Sequence, residues 1–486
     1  MHKLKSLKIN VLLNTIRSIL GVVFPLITIP YVTRILDVEN IGRYYFSASI
    51  ISYFVYIAGL GIGRYAVREG ARVREDKKKF KQFADEIFSF SLVSTAISYL
   101  LLFILIVFTP RLNEYYYILL ILSLQIFFNA FGIEWIFSIY EDYLYITIRT
   151  ILLKIISLVL LFLFVRNADD ILIYTFISII TGVGSNFVNF FYAKKHCKVK
   201  WTRNINWKIH TKPIMLLFIM AIGVIINSNF DKTIVGLISG DYSVGIYAIA
   251  KNVFMVITIL FSSIIVVSLP RISFLIEKKD ATGFIILANK IYNSLLTLVI
   301  PAVVGIIVLR KEVILIIAGD TYLQATSSLG LLSIALLFNF GGYFWAECVL
   351  VPLNQEKGVV KAVIICAFSN IMLNFILVPK WHERAAAFAC IITMFMYFCY
   401  CHYEGRKHVN IKNTGLLVAK ICIGCVAIIF CSLIFNNIRE HVVMYTICTL
   451  CSSILTYFTV QIFLKNDVVL EILDKVLVKF KLNKRK

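Results

Sequence analysis

Acidic side chains are scarce in this sequence: 27 Asp and Glu stand against 49 Lys and Arg in 486 residues. Histidine is scarcer, with seven, at segment ends or in loops. No Ser/His/Asp arrangement, no HExxH helix and no Walker A loop is present, so hydrolase, zinc-protease and internal ATPase chemistry lack their residues. Gly59-x-Gly61-x-Gly63-Arg64 has the glycines of a phosphate loop but ends an apolar segment with no strand before it. It reads as a helix stop or a point of close packing. The eleven cysteines include Cys422-x-x-Cys425 and Cys448-x-x-Cys451, both inside apolar segments and without a companion histidine. Cysteine is an ordinary small residue for packing helices, so neither zinc nor a disulfide framework is expected.

What the chain has in abundance is apolar sequence. Hydrophobic residues make up 60% of it and mean hydropathy is +0.85, well beyond an ordinary soluble protein. Crossing about 30 Å of hydrocarbon takes roughly 20 helical residues, and about fourteen apolar blocks have that length. They include a first near 10–33, a second near 44–63, a fourth near 115–139, a fifth near 144–165, a seventh near 213–238, an eighth near 243–270 and a ninth near 284–308. The fold class predicted is therefore all-α integral membrane. The first block is too long for the core of a signal peptide and is expected to remain as an anchor.

Loop charge orients the chain. With the N-terminus inside, the inward segments carry most of the Lys and Arg: Lys3 to Lys8, Arg64 to Lys81, Lys194 to Lys212 and the tail from Lys465. The outward loops hold few, among them Arg34, Arg43, Arg111 and Arg439. The positive-inside rule thus predicts cytoplasmic N- and C-termini and accounts for most of the +22 net charge. Because the basic runs flank membrane helices, nucleic acid is not an expected partner.

The halves resemble each other. Ile41-Gly42-x-Tyr44 matches Val244-Gly245-x-Tyr247, each after a short acidic outward loop. The expected organisation is an N-terminal lobe of six spans (1–193), a basic cytoplasmic linker (194–212), a second six-span lobe (213–404), and two extra spans with a basic tail (405–486). Pseudo-symmetric lobes around a central cavity are the organisation of alternating-access transporters. The linker carries Trp201 and Trp207 among its cations. It reads equally as an interfacial segment on an anionic leaflet or as a solvated loop.

Charges inside the spans mark the candidate site, since each costs roughly 2.5–3.5 kcal/mol at bilayer centre and faces protein or water. Asn10, Asn14, Arg17, Gly21 and Thr28 share one face of the first span. Lys154 lies deep in the fifth, preceded by the shallower Arg149. Asn227, Asn229, Asp231 and Lys232 cluster in the seventh, and Lys251 follows in the eighth. Asp231 and Lys251, at similar depth, read either as a structural ion pair or as an ion-coupling carboxylate and part of a phosphate-binding surface. Lys290, Lys361 and Lys420 lie where they can snorkel to headgroups, and Glu134 and Glu347 near inner span ends, where basic residues can pair with them. Pro25, Pro30 and Pro301 interrupt the first and ninth spans, a way to free backbone groups along a cavity. Arg offers phosphate a planar fork and Lys a point charge, so Arg17, Lys154, Lys232, Lys251 and Asn14 together fit an anionic headgroup whose lipid tail stays in the bilayer.

Gly132-Ile-Glu-Trp-Ile-Phe, Glu141-Asp-Tyr-Leu-Tyr-Ile-Thr-Ile-Arg149 and Leu153-Lys-Ile-Ile-Ser157 resemble the bacterial Wzx-type oligosaccharide flippases, within the superfamily that includes MATE exporters and lipid II flippases. Asn14-Thr-Ile-Arg17, Pro30-Tyr-Val-Thr-Arg34 and Asn370-Ile-Met-Leu-Asn374 through Pro379-Lys extend the resemblance over most of the chain. It implies a V of two six-helix lobes around a cationic lumen in the bacterial cytoplasmic membrane. It also implies translocation of undecaprenyl-pyrophosphate-linked oligosaccharides from inner to outer leaflet, driven by a proton or Na+ gradient or by membrane potential. No other cofactor is implied, and the partners would be a polysaccharide polymerase, chain-length machinery and membrane lipids. By position, Arg17 and Lys154 match the family's basic lumen residues. Asp231, Lys232 and Lys251 rest on depth alone. A lipid II flippase differs at few deep positions, whereas a MATE-type drug antiporter calls for an acidic lumen. A glycosyltransferase or ligase needs a large outward loop, and the outward loops here are short.

Overall fold

Aspartates open several of the helices. Asp37 Oδ1 accepts from the Asn40 amide at 2.7 Å, Asp76 Oδ1 from the Lys78 and Lys79 amides at 3.0 and 3.1 Å, and Asp280 Oδ1 from the Gly283 amide at 2.8 Å. Each satisfies amides that the first turn leaves without a helical partner. The Asp76 carboxyl lies below its ordinary pKa chiefly because the Lys79 amide donates to it, and is ionised at neutral pH.

The computed structural model describes residues 7–411, 414–471 and 473–474, and divides into two compact units, Met1–Gly245 and Ile246–Lys486. In the first unit run α1 (Leu7–Ile35), α2 (Val38–Gly59), α3 (Ile62–Val73), α4 (Lys77–Phe108), α5 (Tyr116–Ala130), α6 (Glu134–Ile139), α7 (Tyr143–Phe164), α8 (Ile171–Gly182), α9 (Gly184–Tyr192) and α10 (Trp207–Ser239). The helix α11 (Asp241–Glu277) begins at the end of this unit. The second unit continues with α12 (Ala281–Ala318), α13 (Ala325–Phe344), α14 (Glu356–Gly405), α15 (Thr414–Ile434) and α16 (Val442–Phe463). His382, at φ 49°, breaks α14 into two helices. The protein is an all-α membrane protein: among the described residues, ten helical stretches are long and apolar enough to cross a bilayer. Rows of exposed side chains such as Leu100, Phe103, Val107, Val159, Leu163 and Leu455 suit a hydrocarbon solvent.

The span predicted at 115–139 is not one helix. It is α5 followed by a turn at Phe131–Ile133 and the short α6, and Gly132 stands where a Cβ would press on the Asn129 carbonyl and the Asn186 amide. The glycines at 59–63 do mark a helix stop: Leu60 and Gly61 are left-handed, and a Cβ at Gly61 would also press on Leu217. Pro25 and Pro30 lie inside α1, which continues as helix through both.

The residues matched between the halves meet within the first unit. A Cβ on Gly42 would collide with the Asp241 carbonyl, and one on Gly245 with the Val38 carbonyl. The spacing from 38 to 241 equals that from 42 to 245, so the approach is reciprocal. Arg43 Nε lies 3.4 Å from Asp241 Oδ2, and the Tyr115 hydroxyl donates to Oδ1 at 2.8 Å. Arg111 donates to the Gly236 and Leu237 carbonyls that end α10, a cation at the negative end of a helix. Glycine at 42 and 245 is what allows two backbones so close.

In the same unit the basic linker is tied to α4. Its Lys200, Thr202 and Asn206 amides donate to Asp85 Oδ1 (2.7 Å), Ser89 Oγ (2.8 Å) and Glu86 Oε2 (3.2 Å). Buried His210 closes the segment between Glu86 Oε2 (2.9 Å) and the Tyr65 hydroxyl (2.8 Å).

In the second unit Trp345, fully buried with Phe344 and Tyr292 around it, centres the core where α13 passes into a π-helical turn, Trp345–Leu350. The pair α15 and α16 packs on α12, with the Tyr457 hydroxyl donating to the Thr297 carbonyl at 2.7 Å.

Gly42→Val is expected to destabilise the protein by about 1–3 kcal/mol, because the clash is with backbone and cannot be relieved by a rotamer. Thermal unfolding in detergent should show a lowered Tm, whereas Gly305→Ala, which has open space at its Cβ, should not. An unchanged Tm for Gly42→Val would remove the glycine requirement.

Candidate substrate-binding residues

Lys154 sits at the middle of the 22-residue α7. Either end is about 16 Å away at 1.5 Å per residue, too far for a lysine stem to snorkel. Its ammonium instead donates to the Leu20 carbonyl of α1 at 2.8 Å and lies 5.3 Å from the Phe24 ring centroid. Pro25, just beyond, leaves the Gly21 carbonyl without its helical donor, one residue from the acceptor that Lys154 uses. The structure thus brings Lys154 onto the helix that carries Asn14 and Arg17. The side chains of Asn10, Asn14, Arg17 and Asn227 lie outside the described residues.

Asp231, 1% exposed, and half-buried Lys232 lie in α10, which packs on α2. The next residue, Thr233, shares its hydroxyl with Ser49 and Tyr53 of α2, both at 2.8 Å. Lys232 Nζ lies 5.7 Å from the Tyr45 ring centroid. Their neighbours on α2 are thus hydroxyl-bearing and aromatic. Lys251 belongs to the second unit, 6% exposed, with Nζ 3.8 Å from Cys390 Sγ and near the Phe254 and Tyr247 rings. A desolvated ammonium over an aromatic face gains about 2 kcal/mol, which offsets part of its burial cost.

Several other charges meet partners near helix ends. Exposed Lys290 pairs with Glu471, and half-buried Lys420 donates to the Lys465 carbonyl at 2.8 Å. Half-exposed Arg439 donates to buried Glu312 at 2.8 Å. Among the described residues no group of three or more His, Cys, Asp or Glu side chains could hold a metal ion.

The sequence reading placed Arg149 as a shallow, snorkelling cation. Its side chain is 6% exposed and joins three helices: it donates to Glu134 Oε2 of α6 at 2.8 Å and to Asn189 Oδ1 of α9, and faces the Tyr145 ring. The break after α5 turns Glu134 towards α7, so the pair was hidden while 115–139 was read as one helix. Removing one partner of a buried pair leaves an uncompensated charge, a loss of about 3–5 kcal/mol. Glu134→Leu alone, which strands the 6%-exposed Arg149 guanidinium, should therefore sharply lower the yield of folded protein in membranes, and Glu134→Leu/Arg149→Met should recover much of it. Quantitative blotting and size-exclusion of detergent extracts read both; equal yields for single and double variants would refute the coupling.

Known proteins share this arrangement of helices. A family described as polysaccharide biosynthesis protein matches residues 7–275. A putative O-antigen transporter of Escherichia coli (strain K12) is 23% identical over 85% of this chain and 98% of its own length. The capsular polysaccharide biosynthesis protein CapF of Staphylococcus aureus is 21% identical over 81% of this chain and 97% of its own. Among solved structures, lipid II flippase MurJ in an inward closed conformation superposes with a TM-score of 0.73 at 19% identity, covering 95% of this chain and 99% of that one. With the family matched across more than half of its length, this chain belongs to the polysaccharide biosynthesis protein family, the Wzx-type group that residues 132–157 resemble.

Proposed function

We propose that this protein is a flippase that carries undecaprenyl-pyrophosphate-linked oligosaccharides across the bacterial cytoplasmic membrane, from inner to outer leaflet, for surface polysaccharide synthesis. The observation that carries the reading is Lys154, a cation at the middle of α7 held against α1. The lipid tail of such a substrate keeps its solvent during transfer, since burial of each methylene favours the bilayer by about 0.8 kcal/mol. Only the pyrophosphate and sugars need a polar path. A carbonyl is a neutral partner for an ammonium, and a phosphate oxygen makes a charge-assisted bond roughly twice as strong. Lys154 can therefore pass from the Leu20 carbonyl to the substrate without leaving α1.

In this reading Arg17, one turn before Leu20, grips the pyrophosphate through its donor fork, with Asn14 on the same helical face. Lys232 and Lys251 extend the anion-binding surface, and Asp231 is the carboxylate that couples transfer to a proton or Na+. The cycle is alternating access of two six-span lobes within about fourteen crossings, both termini in the cytoplasm. The protein makes and breaks no covalent bond, and hands its cargo to a polysaccharide polymerase and chain-length machinery. The E. coli relative's name, putative O-antigen transporter, and that of the S. aureus relative, a capsular polysaccharide biosynthesis protein, support the substrate class.

Arg17→Ala and Lys154→Ala should each leave protein in the membrane but stop surface polysaccharide from accumulating in cells that lack another copy. Arg17→Lys should retain partial activity, because it keeps the charge and loses the fork. Immunoblotting of polymer beside membrane-protein levels reads this; normal polymer in Arg17→Ala would take Arg17 out of the site.

A further inference from the structure

By sequence the segment between α9 and α10 suits an interfacial strip or a solvated loop, and its anchoring on α4 favours the first. The helix α4 begins in water, with exposed Lys77, Lys78, Lys79 and Lys81, and beyond Ser91 is uncharged and mainly apolar. The side chains that capture the linker, Asp85, Glu86 and Ser89, lie between these two stretches. From Lys81 to Phe90 is about 14 Å along the helix, enough to cross the roughly 5–8 Å of one headgroup layer and reach the acyl chains. The linker backbone is pinned at that level. Trp207, the first residue of α10, lies with its ring centroid 5.0 Å from that of Phe90.

The pinning uses backbone amides and His210, with Cys197, Val199 and Ile205 packed on the core, and leaves the linker's tryptophans and cations outward. Trp201 is 52% exposed, Trp207 44% and Ile209 60%, while Lys198, Lys200, Arg203 and Lys208 are exposed around them. Tryptophan at headgroup level, with its indole N–H wet and its ring in the acyl boundary, is the usual interfacial anchor. Interleaved cations at that depth meet lipid phosphates. Each Lys or Arg near an anionic leaflet contributes about fivefold in affinity, as about 1 kcal/mol.

We propose that residues 198–209 form a binding surface for anionic phospholipid headgroups, with Trp201, Trp207 and Ile209 inserted beside them. The carboxylates Asp85 and Glu86 do not oppose this, since linker amides and His210 occupy them. The surface selects bulk lipid of the leaflet it faces. It needs no lipid-linked oligosaccharide, so it stands or falls independently of the transported substrate.

The test uses the full chain in vesicles, with Trp381→Phe to remove the other exposed tryptophan; Trp135 and Trp345 are buried. In mixed phosphatidylcholine and phosphatidylglycerol vesicles, bromine is placed on the acyl chains of one lipid or of the other. Quenching of tryptophan fluorescence should be stronger when phosphatidylglycerol carries the bromine at equal mole fraction. The difference should vanish in high salt and shrink about fivefold for each of Lys200→Gln, Arg203→Gln and Lys208→Gln. Trp201→Phe/Trp207→Phe should remove the quenched component. Equal quenching by the two brominated lipids would overturn the selectivity. Quenching by aqueous iodide with none by either lipid would overturn the interfacial placement. Both wild-type measurements stand without any linker variant folding.

Discussion

A charge carried into the apolar part of a membrane helix must be met by something other than water, and the first unit is arranged around two answers on one helix. Arg149 and Lys154 lie five residues apart on α7. Arg149 is met by Glu134 and Asn189, which tie α6 and α9 to it. Lys154 is met by a carbonyl of α1. The first arrangement fixes where α7 stands, and the second uses that position to hold a cation half-buried at its middle. An ion pair with added hydrogen bonds is a poor source of net stability but a strong constraint on which neighbours fit. That constraint is what a helix bearing a working cation needs, because a shift of one residue in α7 would swing Lys154 about 100° away from α1.

Much of the fold was legible in the sequence because membrane helices are specified by length and hydropathy, which need no partner to be read. One feature escaped. The break at Phe131–Ile133 falls inside an apolar run, where the only local sign is Gly132, a residue equally at home in a packed helix. The division of α14 at His382, by contrast, falls in the gap between the apolar blocks near 358–378 and 385–403, which read as two spans. At Phe131–Ile133 the backbone turns for tertiary reasons, and hydropathy is blind to them.

The candidate site was legible to a different degree. Lys154 stood out because a lysine so far from either helix end has no bland explanation. Arg149 did not, since depth alone allowed it to reach the headgroups, and its partner Glu134, near the inner end of a span read as one helix, suited a basic loop residue equally well. The match of Gly42 with Gly245 was visible as spelling, while its cause, each glycine accepting the other stretch's backbone, needs three dimensions. The captured linker shows the same limit: its amides, which every residue carries, do the binding, and sequence cannot distinguish them.

Taken together, these contacts separate what must hold still from what must exchange. Glu134–Arg149, the linker amides on α4 and the glycine approach at 42 and 245 are charged pairs, multiple hydrogen bonds or backbone packing, each costly to open. The contact of Lys154 with Leu20 includes a neutral acceptor and a half-exposed ammonium, which an anion can compete for at little cost. A carrier has to release its cargo as readily as it takes it, so its binding groups should sit among exchangeable partners on a frame that does not exchange. Lys154 meets that requirement, one and a half turns from Arg149 on the same helix.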